Sequence, residues 1–371
     1  MAMHGRTYDL MIPGPVSVDA DVMLEMASPV VAHYGTEWTR FYLETIETAK
    51  RIFQTQNDLF INVGSGHLGV ESVICSMVEP GEKVIVVETG HFGHRISELA
   101  EAHDVHVHPV EVEWGKAVKP DQVEKAILRN SDAKVLALVH NETSTGLMNP
   151  IKEIAEVCRK HGVLLVVDGV SSIGGIDLRV DEWGVDVCIA ASQKCLEAPP
   201  GLTLVSVSER AWKHMRARKT PIRGWYLNLL KWKDAAVEGK DVQPYYITMA
   251  VSNVIALRAS MEKILQEGLQ ARFLRHKNVG HAFRQGVRDL GLQVLGADEE
   301  ASGIVTVVLP PDGHTESEFI SFLCDDYGIQ VAGGLGKLAG KAIRVGHMGP
   351  GAKMTKIMPV LYGLKQWLIS L

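Results

Sequence analysis

Lys194 follows the apolar stretch Asp186–Ala191 and precedes Ala198-Pro199-Pro200-Gly201, a setting that predicts a buried strand end. Burying an ammonium is costly, and a desolvated lysine gives up its proton more readily and becomes a nucleophilic amine. One predicted strand earlier, Asp168 closes the run Val163-Leu164-Leu165-Val166-Val167. Taken alone, that carboxylate reads equally as a helix N-cap or a ribose contact. A third group, Gly64-Ser65-Gly66-His67-Leu68-Gly69, joins a predicted strand to a predicted helix. Glycines let the backbone approach an anion, and a helix N-terminus supplies N–H donors and partial positive charge, so this has the form of a phosphate cradle. It also matches the dinucleotide fingerprint G-x-G-x-x-G, with Glu88 ending the next strand, and it can be no more than a tight strand-to-helix turn. The fourth group, Asn141-Glu142-Thr143-Ser144-Thr145-Gly146, offers hydroxyls to a ring oxygen or a phosphate, or is a plain polar loop.

The four groups discriminate only in combination. A nicotinamide-dependent dehydrogenase accounts for the glycines and Glu88 and leaves Asp168 and Lys194 without a task. Pyridoxal 5′-phosphate (PLP) has a use for all four. Its phosphate needs a helix N-terminus, its aldehyde needs an amine, and its pyridine nitrogen needs a carboxylate to stay protonated and act as an electron sink.

These groups must be brought to one place by the elements that carry them. Continuous apolar runs predict strands at Leu59–Val63, Lys83–Glu88, Val105–Val112, Val135–His140, Leu164–Asp168, Asp186–Ser192 and Leu202–Val207. Helical spacing fills the gaps at Gly69–Val78 and Pro150–His161, so an α/β fold is expected, with a mainly parallel sheet flanked by helices. Ligands of such sheets sit at the carboxyl ends of the strands, where all four groups fall. Later, long helices at Ser252–Glu267 and Arg272–Leu290, strands near Gln293–Leu295, Ile304–Leu309 and Ala342–Val345, and a closing helix at Thr355–Leu371 predict a smaller α+β domain. The expected division is an N-terminal arm over 1–20, a large cofactor-binding domain over 21–260 and a small C-terminal domain over 261–371.

Bulk properties exclude several classes. The chain has 371 residues, 46% hydrophobic and 22% charged, with a net charge of −6, which argues against nucleic-acid binding. No run approaches the roughly 18 apolar residues of a membrane helix, and Met1–Leu10 has no apolar core like that of a signal peptide. Five scattered cysteines suit a reducing cytoplasm. His91 and His94, and His103, His106 and His108, sit close in sequence, yet no cysteine or carboxylate set completes a ligand spacing, so no metal site is expected. Cys195 has no His–Asn partner pattern and reads as packing, and Trp225-Tyr226-Leu227 reads as core or subunit interface.

On Gly64-Ser65-Gly66-His67, Val167-Asp168-Gly169-Val170-Ser171-Ser172, Ser192-Gln193-Lys194 with Ala198-Pro199-Pro200-Gly201, and Gly333-Gly334-Leu335-Gly336, the chain resembles class V aminotransferases of PLP fold type I, especially the alanine–glyoxylate and serine–pyruvate group. The resemblance runs from Pro13-Gly14-Pro15 to Arg344-Val345-Gly346. Val207–Trp212 and Arg344–Pro350 also resemble pyridoxamine–pyruvate aminotransferase, and Asp181–Asp186 resembles aspartate–glyoxylate aminotransferase. The resemblance implies that Lys194 holds PLP as a Schiff base and shuttles the proton, and that Asp168 pairs with the pyridine nitrogen. It implies that Val170 packs on one ring face and Phe92 stacks on the ring, where the alanine–glyoxylate enzymes commonly have Trp. It assigns Thr143 to the phenolic oxygen, and Ser65, Gly66, His67 and Gln193 to the phosphate. Tyr245 and Thr248 are expected to reach the phosphate of a neighbouring subunit in a homodimer, and Arg344 to clamp the substrate carboxylate. The implied reaction is ping-pong transfer of an amino group from a small donor, alanine or serine first, to glyoxylate or pyruvate. Pyridoxamine, aspartate and ureidoglycine are the alternative donors. Where the family often has Tyr-His-His-Thr, this chain has Tyr245-Tyr246-Ile247-Thr248, a departure that bears on donor specificity.

Overall fold

The computed structural model describes residues 8–371; of the arm expected over 1–20, residues 1–7 lie outside the described residues. The large sheet has seven strands. In spatial order they are Asp58–Val63, Leu202–Val207, Val187–Ala191, Leu164–Asp168, Val135–Val139, Lys83–Glu88 and His106–Glu111. Leu202–Val207 is antiparallel to both neighbours, and the other pairings are parallel. The sequence pattern could not show this reversal, because a strand buried on both faces has the same apolar run in either direction. Val135–Val139 is buried at every residue, and its register places Val139 beside Asp168, which in turn lies beside Ile189.

Helices cover both faces of this sheet. One core cluster runs from Trp38 to Ile264 and includes the inner residues of all the central strands. A second core, built from Met11, Val279, Phe283, Phe319, Ile343, Val345, Leu364 and others, lies in the C-terminal part. There a four-stranded sheet takes the order Gln293–Val294, Val305–Leu309, Ile343–Gly346, Ala332–Gly333. Helices Leu269–Asp289, Glu316–Tyr327 and Met354–Ser370 contribute to that core. The chain thus has the α/β fold expected, a mostly parallel sheet flanked by helices with a smaller α+β part.

The start of the chain ties the two parts together. Asp9–Leu10 pairs in parallel with Ile329–Gln330, and the Gly346 N–H donates to the Met11 carbonyl at 2.7 Å. A few residues on, the Val16 N–H donates to the Gln193 carbonyl at 3.0 Å, next to Lys194.

Candidate active site

Because Asp58–Val63, Val135–Val139, Leu164–Asp168 and Val187–Ala191 run the same way, their carboxyl ends share one edge of the sheet. A cavity of about 240 Å³ opens there, lined by Ser65, Gly66, His67, Phe92, Asn141, Thr143, Asp168, Val170, Gln193 and Lys194, among others. Four groups separated by long stretches of chain therefore meet in one place. Tyr245, Thr248 and Arg344 are not among the residues lining this cavity.

Lys194 Nζ donates to the Pro13 carbonyl and has no carboxylate partner among the described residues. Burial, with the charge of Arg344 adding to it, pulls this amine down to about 8, against a smaller opposing pull from Asp168. Burial pushes the Asp168 carboxyl up to about 6, while the Val170 N–H, donating to Oδ1 at 2.9 Å, works against the rise. At neutral pH the pair thus offers a readily deprotonated amine and a carboxylate that is still ionised.

The glycine loop leads into helix Gly66–Met77, whose N-cap Ser65 is extended and makes no side-chain capping bond, leaving the first N–H groups open toward the cavity. Gly66 is required by space: a Cβ there would lie 2.8 Å from Val170 Cγ2. Gln193 Oε1 and Asn141 Oδ1 are buried without a hydrogen-bond partner. An amine, a carboxylate, an open helix N-terminus and unpartnered polar atoms around one cavity are a donor set that fits PLP.

The nicotinamide reading is corrected by the same geometry. Glu88 does not face the glycine loop. Its carboxylate accepts from Ser97 Oγ at 2.5 Å and pairs with His94 Nδ1 at 3.1 Å, beside a different cavity shared with Glu111 and Trp114. The motif and its spacing were as a dinucleotide site requires, but the strand order puts the acidic residue elsewhere.

Phe92 is half-buried in the first turn of helix His91–Ala102, with its ring 6.3 Å from that of His67. Glu142, which the sequence reading passed over, holds that turn in place. It is fully buried, and its carboxylate accepts from the backbone N–H groups of Phe92 (3.3 Å), Gly93 (3.0 Å) and Ser144 (3.1 Å). Burial raises the Glu142 pKa, and those hydrogen bonds oppose the rise. Its only sequence signal was a charged residue two positions beyond the predicted apolar strand Val135–His140.

Arg272 was also missed. It is 2% exposed and braces the lysine loop from below. Its Nε donates to the Gly174 carbonyl at 2.5 Å, Nη2 to the Cys195 carbonyl at 3.0 Å and Nη1 to Glu267 at 2.8 Å, and Glu197 pairs with Nη2. A signal was present: Arg272, His276, Val279, Phe283 and Val287 share the buried face of helix Leu269–Asp289, so polar residues occupy an otherwise apolar stripe.

Arg344 lies in strand Ile343–Gly346 of the small sheet and is 9% exposed. Its Nε donates to the Gly333 carbonyl at 2.7 Å, and its two terminal nitrogens have no protein acceptor among the described residues. Tyr245 is buried, with its hydroxyl between Trp38 Nε1 at 2.5 Å and the His33 carbonyl, whereas Thr248 is exposed. Among the described residues no cluster of three or more histidine, cysteine or acidic side chains is arranged to hold a metal. Among the described residues no helix is long and apolar enough to cross a membrane.

The sheet order and the cavity at its strand ends fit a PLP-dependent enzyme of the aminotransferase fold. The family model "Aminotransferase class-V" matches residues 23–344. The (S)-ureidoglycine–glyoxylate transaminase of Bacillus subtilis is 34% identical, covering 97% of this chain and 90% of that protein. An alanine–glyoxylate aminotransferase of Drosophila melanogaster is 32% identical, covering 95% and 90%. The crystal structure of pyridoxamine–pyruvate aminotransferase from Mesorhizobium loti superimposes with a TM-score of 0.94 at 29% identity, covering 100% of this chain and 94% of that one. The chain belongs to the class V aminotransferases, and it is a PLP-dependent aminotransferase.

Proposed function

We propose that this enzyme moves an amino group from a small amino donor, alanine or serine first, to glyoxylate or pyruvate, with Lys194 and Asp168 as its catalytic residues. The observation that carries the reading is the one cavity that the Lys194 amine and the Asp168 carboxylate both line. When bound, PLP supplies an electron sink for the bonds at the substrate α-carbon. Lys194 Nζ would hold the cofactor, and the same amine would take the substrate α-proton and give it back. Asp168, steadied by the Val170 N–H, would present a negative charge to the pyridine nitrogen, and Val170 and Phe92, which line the same cavity, would pack on the ring. Ser65, Gly66, His67 and Gln193 would hold the phosphate, and Thr143 the phenolic oxygen. Arg344 receives the carboxylate of donor and acceptor alike, which suits its two unpartnered terminal nitrogens. The cycle is ping-pong: the donor leaves as a 2-oxo acid before the acceptor enters the same cavity.

The active form is read as a symmetric homodimer in which Tyr245 and Thr248 serve the partner's phosphate site; both stand apart from their own chain's cavity. The exposed apolar residues Leu24, Val30, Tyr34 and Trp225 support a subunit contact. The five free cysteines support a reducing cytoplasmic setting. The chain is read as a large domain over 21–260 and a small one over 261–371, a division supported by the presence of two separate apolar cores.

Borohydride reduction followed by peptide mapping should tag Lys194, and Lys194→Ala should lose both the tag and turnover. A tag on another lysine would remove Lys194 from its role. A donor screen with glyoxylate and with pyruvate tests the substrate reading. Turnover with alanine or serine supports it, whereas turnover only with pyridoxamine, aspartate or ureidoglycine replaces it with the donor found.

A further inference from the structure

Arg344 cannot orient itself. The only protein acceptor it meets among the described residues is the Gly333 carbonyl, and that carbonyl belongs to a glycine-rich segment, Gly333–Lys341, with little side chain of its own to hold it. What gathers this segment is Glu316, the first residue of helix Glu316–Tyr327. Its carboxylate accepts three backbone N–H groups, from Gly334 at 2.9 Å, Gly340 at 3.0 Å and Ala342 at 3.0 Å. One side chain thus clasps both ends of the segment, just before the strand that carries Arg344. The packing is close, since a Cβ on Gly333 would lie 2.6 Å from Glu316 Oε1. On its other side the segment rests on Trp114: Lys337 Nζ lies 5.6 Å from that ring, and Gly336, at φ +54°, leaves room where a Cβ would meet Trp114 Cη2 at 2.8 Å. Burial lowers the Arg344 pKa, and the charges of Glu142 and Glu316 raise it. Neither carboxylate bonds to the guanidinium, so its terminal nitrogens remain free while its charge is supported.

We propose that Glu316 is the positioning residue of the substrate-carboxylate clamp: it fixes the Gly333–Ala342 segment, whose Gly333 carbonyl fixes Arg344. The inference rests on the reading of Arg344 as that clamp, and the test separates the two. Three holoenzyme variants are compared: Glu316→Gln, which sets an NH₂ against backbone donors; Gly333→Ala, which displaces the Glu316 carboxylate with a methyl group; and Arg344→Lys. The readouts are KM and kcat for the acceptor and the competitive inhibition constant of propionate, a carboxylate with no group to react. In both Glu316→Gln and Gly333→Ala, KM and the propionate constant should rise about tenfold while kcat changes less than threefold, because the lost interaction is made equally in ground and transition states. A general loss of structure would instead lower kcat or the melting temperature and leave propionate binding unmoved. If Arg344→Lys weakens propionate but neither of the other variants does, Glu316 is not the positioning residue. If Arg344→Lys leaves propionate unchanged, the clamp reading fails, and with it the inference. If Glu316→Gln does not fold, Gly333→Ala carries the test, since it disturbs the contact through a flexible side-chain end.

Discussion

Two buried arginines, one in the helix Leu269–Asp289 and one in the small sheet, are partnered in opposite ways. Arg272, under the lysine loop, is surrounded by two carbonyls and two carboxylates. Arg344, on the small sheet, has one carbonyl and two open nitrogens. A buried charge that is fully partnered has no capacity left for a ligand, so Arg272 is scaffold. A buried charge left short of partners is destabilising on its own and gains most when a ligand of opposite charge arrives, which is the property the proposed carboxylate clamp at Arg344 requires. Partner saturation, more than burial or residue type, separates the two roles, and Asp168 and Lys194 fall on the same side as Arg344.

The largest effect expected from this contrast is on Arg272. Arg272→Met strips Glu197 of its charged partner, while Glu267 keeps Arg275, and should lower the unfolding free energy by about 3 kcal/mol, measured by chemical denaturation. A loss under about 1 kcal/mol would break the comparison, because the network would then not be structural.

Asp168 tests the other class with the opposite charge. Its folded pKa lies above its usual value, so its contribution to stability is fully present below about 4 and is lost as pH rises through about 6. Asp168→Asn removes that penalty. The apoprotein variant should be more stable than wild type by up to about 3 kcal/mol at pH 7, with no advantage at pH 3.5. The same change should remove about 3 kcal/mol of transition-state stabilisation from the holoenzyme, read from kcat/KM. A variant less stable than wild type at pH 7 would move Asp168 into the scaffold class.

The smallest change in stability is expected at Arg344. Arg344→Met should leave the unfolding free energy within about 1 kcal/mol of wild type, since an under-partnered buried charge is exchanged for a hydrophobe of similar size. Its binding of 2-oxo acids should be largely lost. Destabilisation matching that of Arg272→Met would erase the distinction.

These residues also mark how far the sequence could be read. The strands and their end residues were legible, because apolar runs bounded by glycine, proline and polar residues have few other meanings. Asp168 and Lys194 emerged as a pair because each is a charge at the end of such a run. Glu142 and Glu316 did not emerge, since both act on backbone N–H groups and a carboxylate's backbone partners leave no mark in the residue pattern. Glu142 grips a turn some 50 residues earlier in the chain, and Glu316 closes a loop 18 to 26 residues ahead of it. Glu88 shows the converse case: a motif at the right spacing misleads when strand order sends its acidic member to another cavity.

The path of the first described residues carries a consequence for the order in which the enzyme matures. The Pro13 carbonyl that meets Lys194 Nζ is delivered by a segment stitched to Ile329–Gln330 and Gly346. During synthesis the large sheet, with its lysine, leaves the ribosome well before those anchoring residues do. Until then the segment that carries Pro13 has only its bond from the Val16 N–H to the Gln193 carbonyl to hold it near the lysine. Cofactor capture in its final geometry is thereby deferred until the C-terminal part has been made, so a chain truncated before about residue 346 would present an ordered sheet with an unsettled amine.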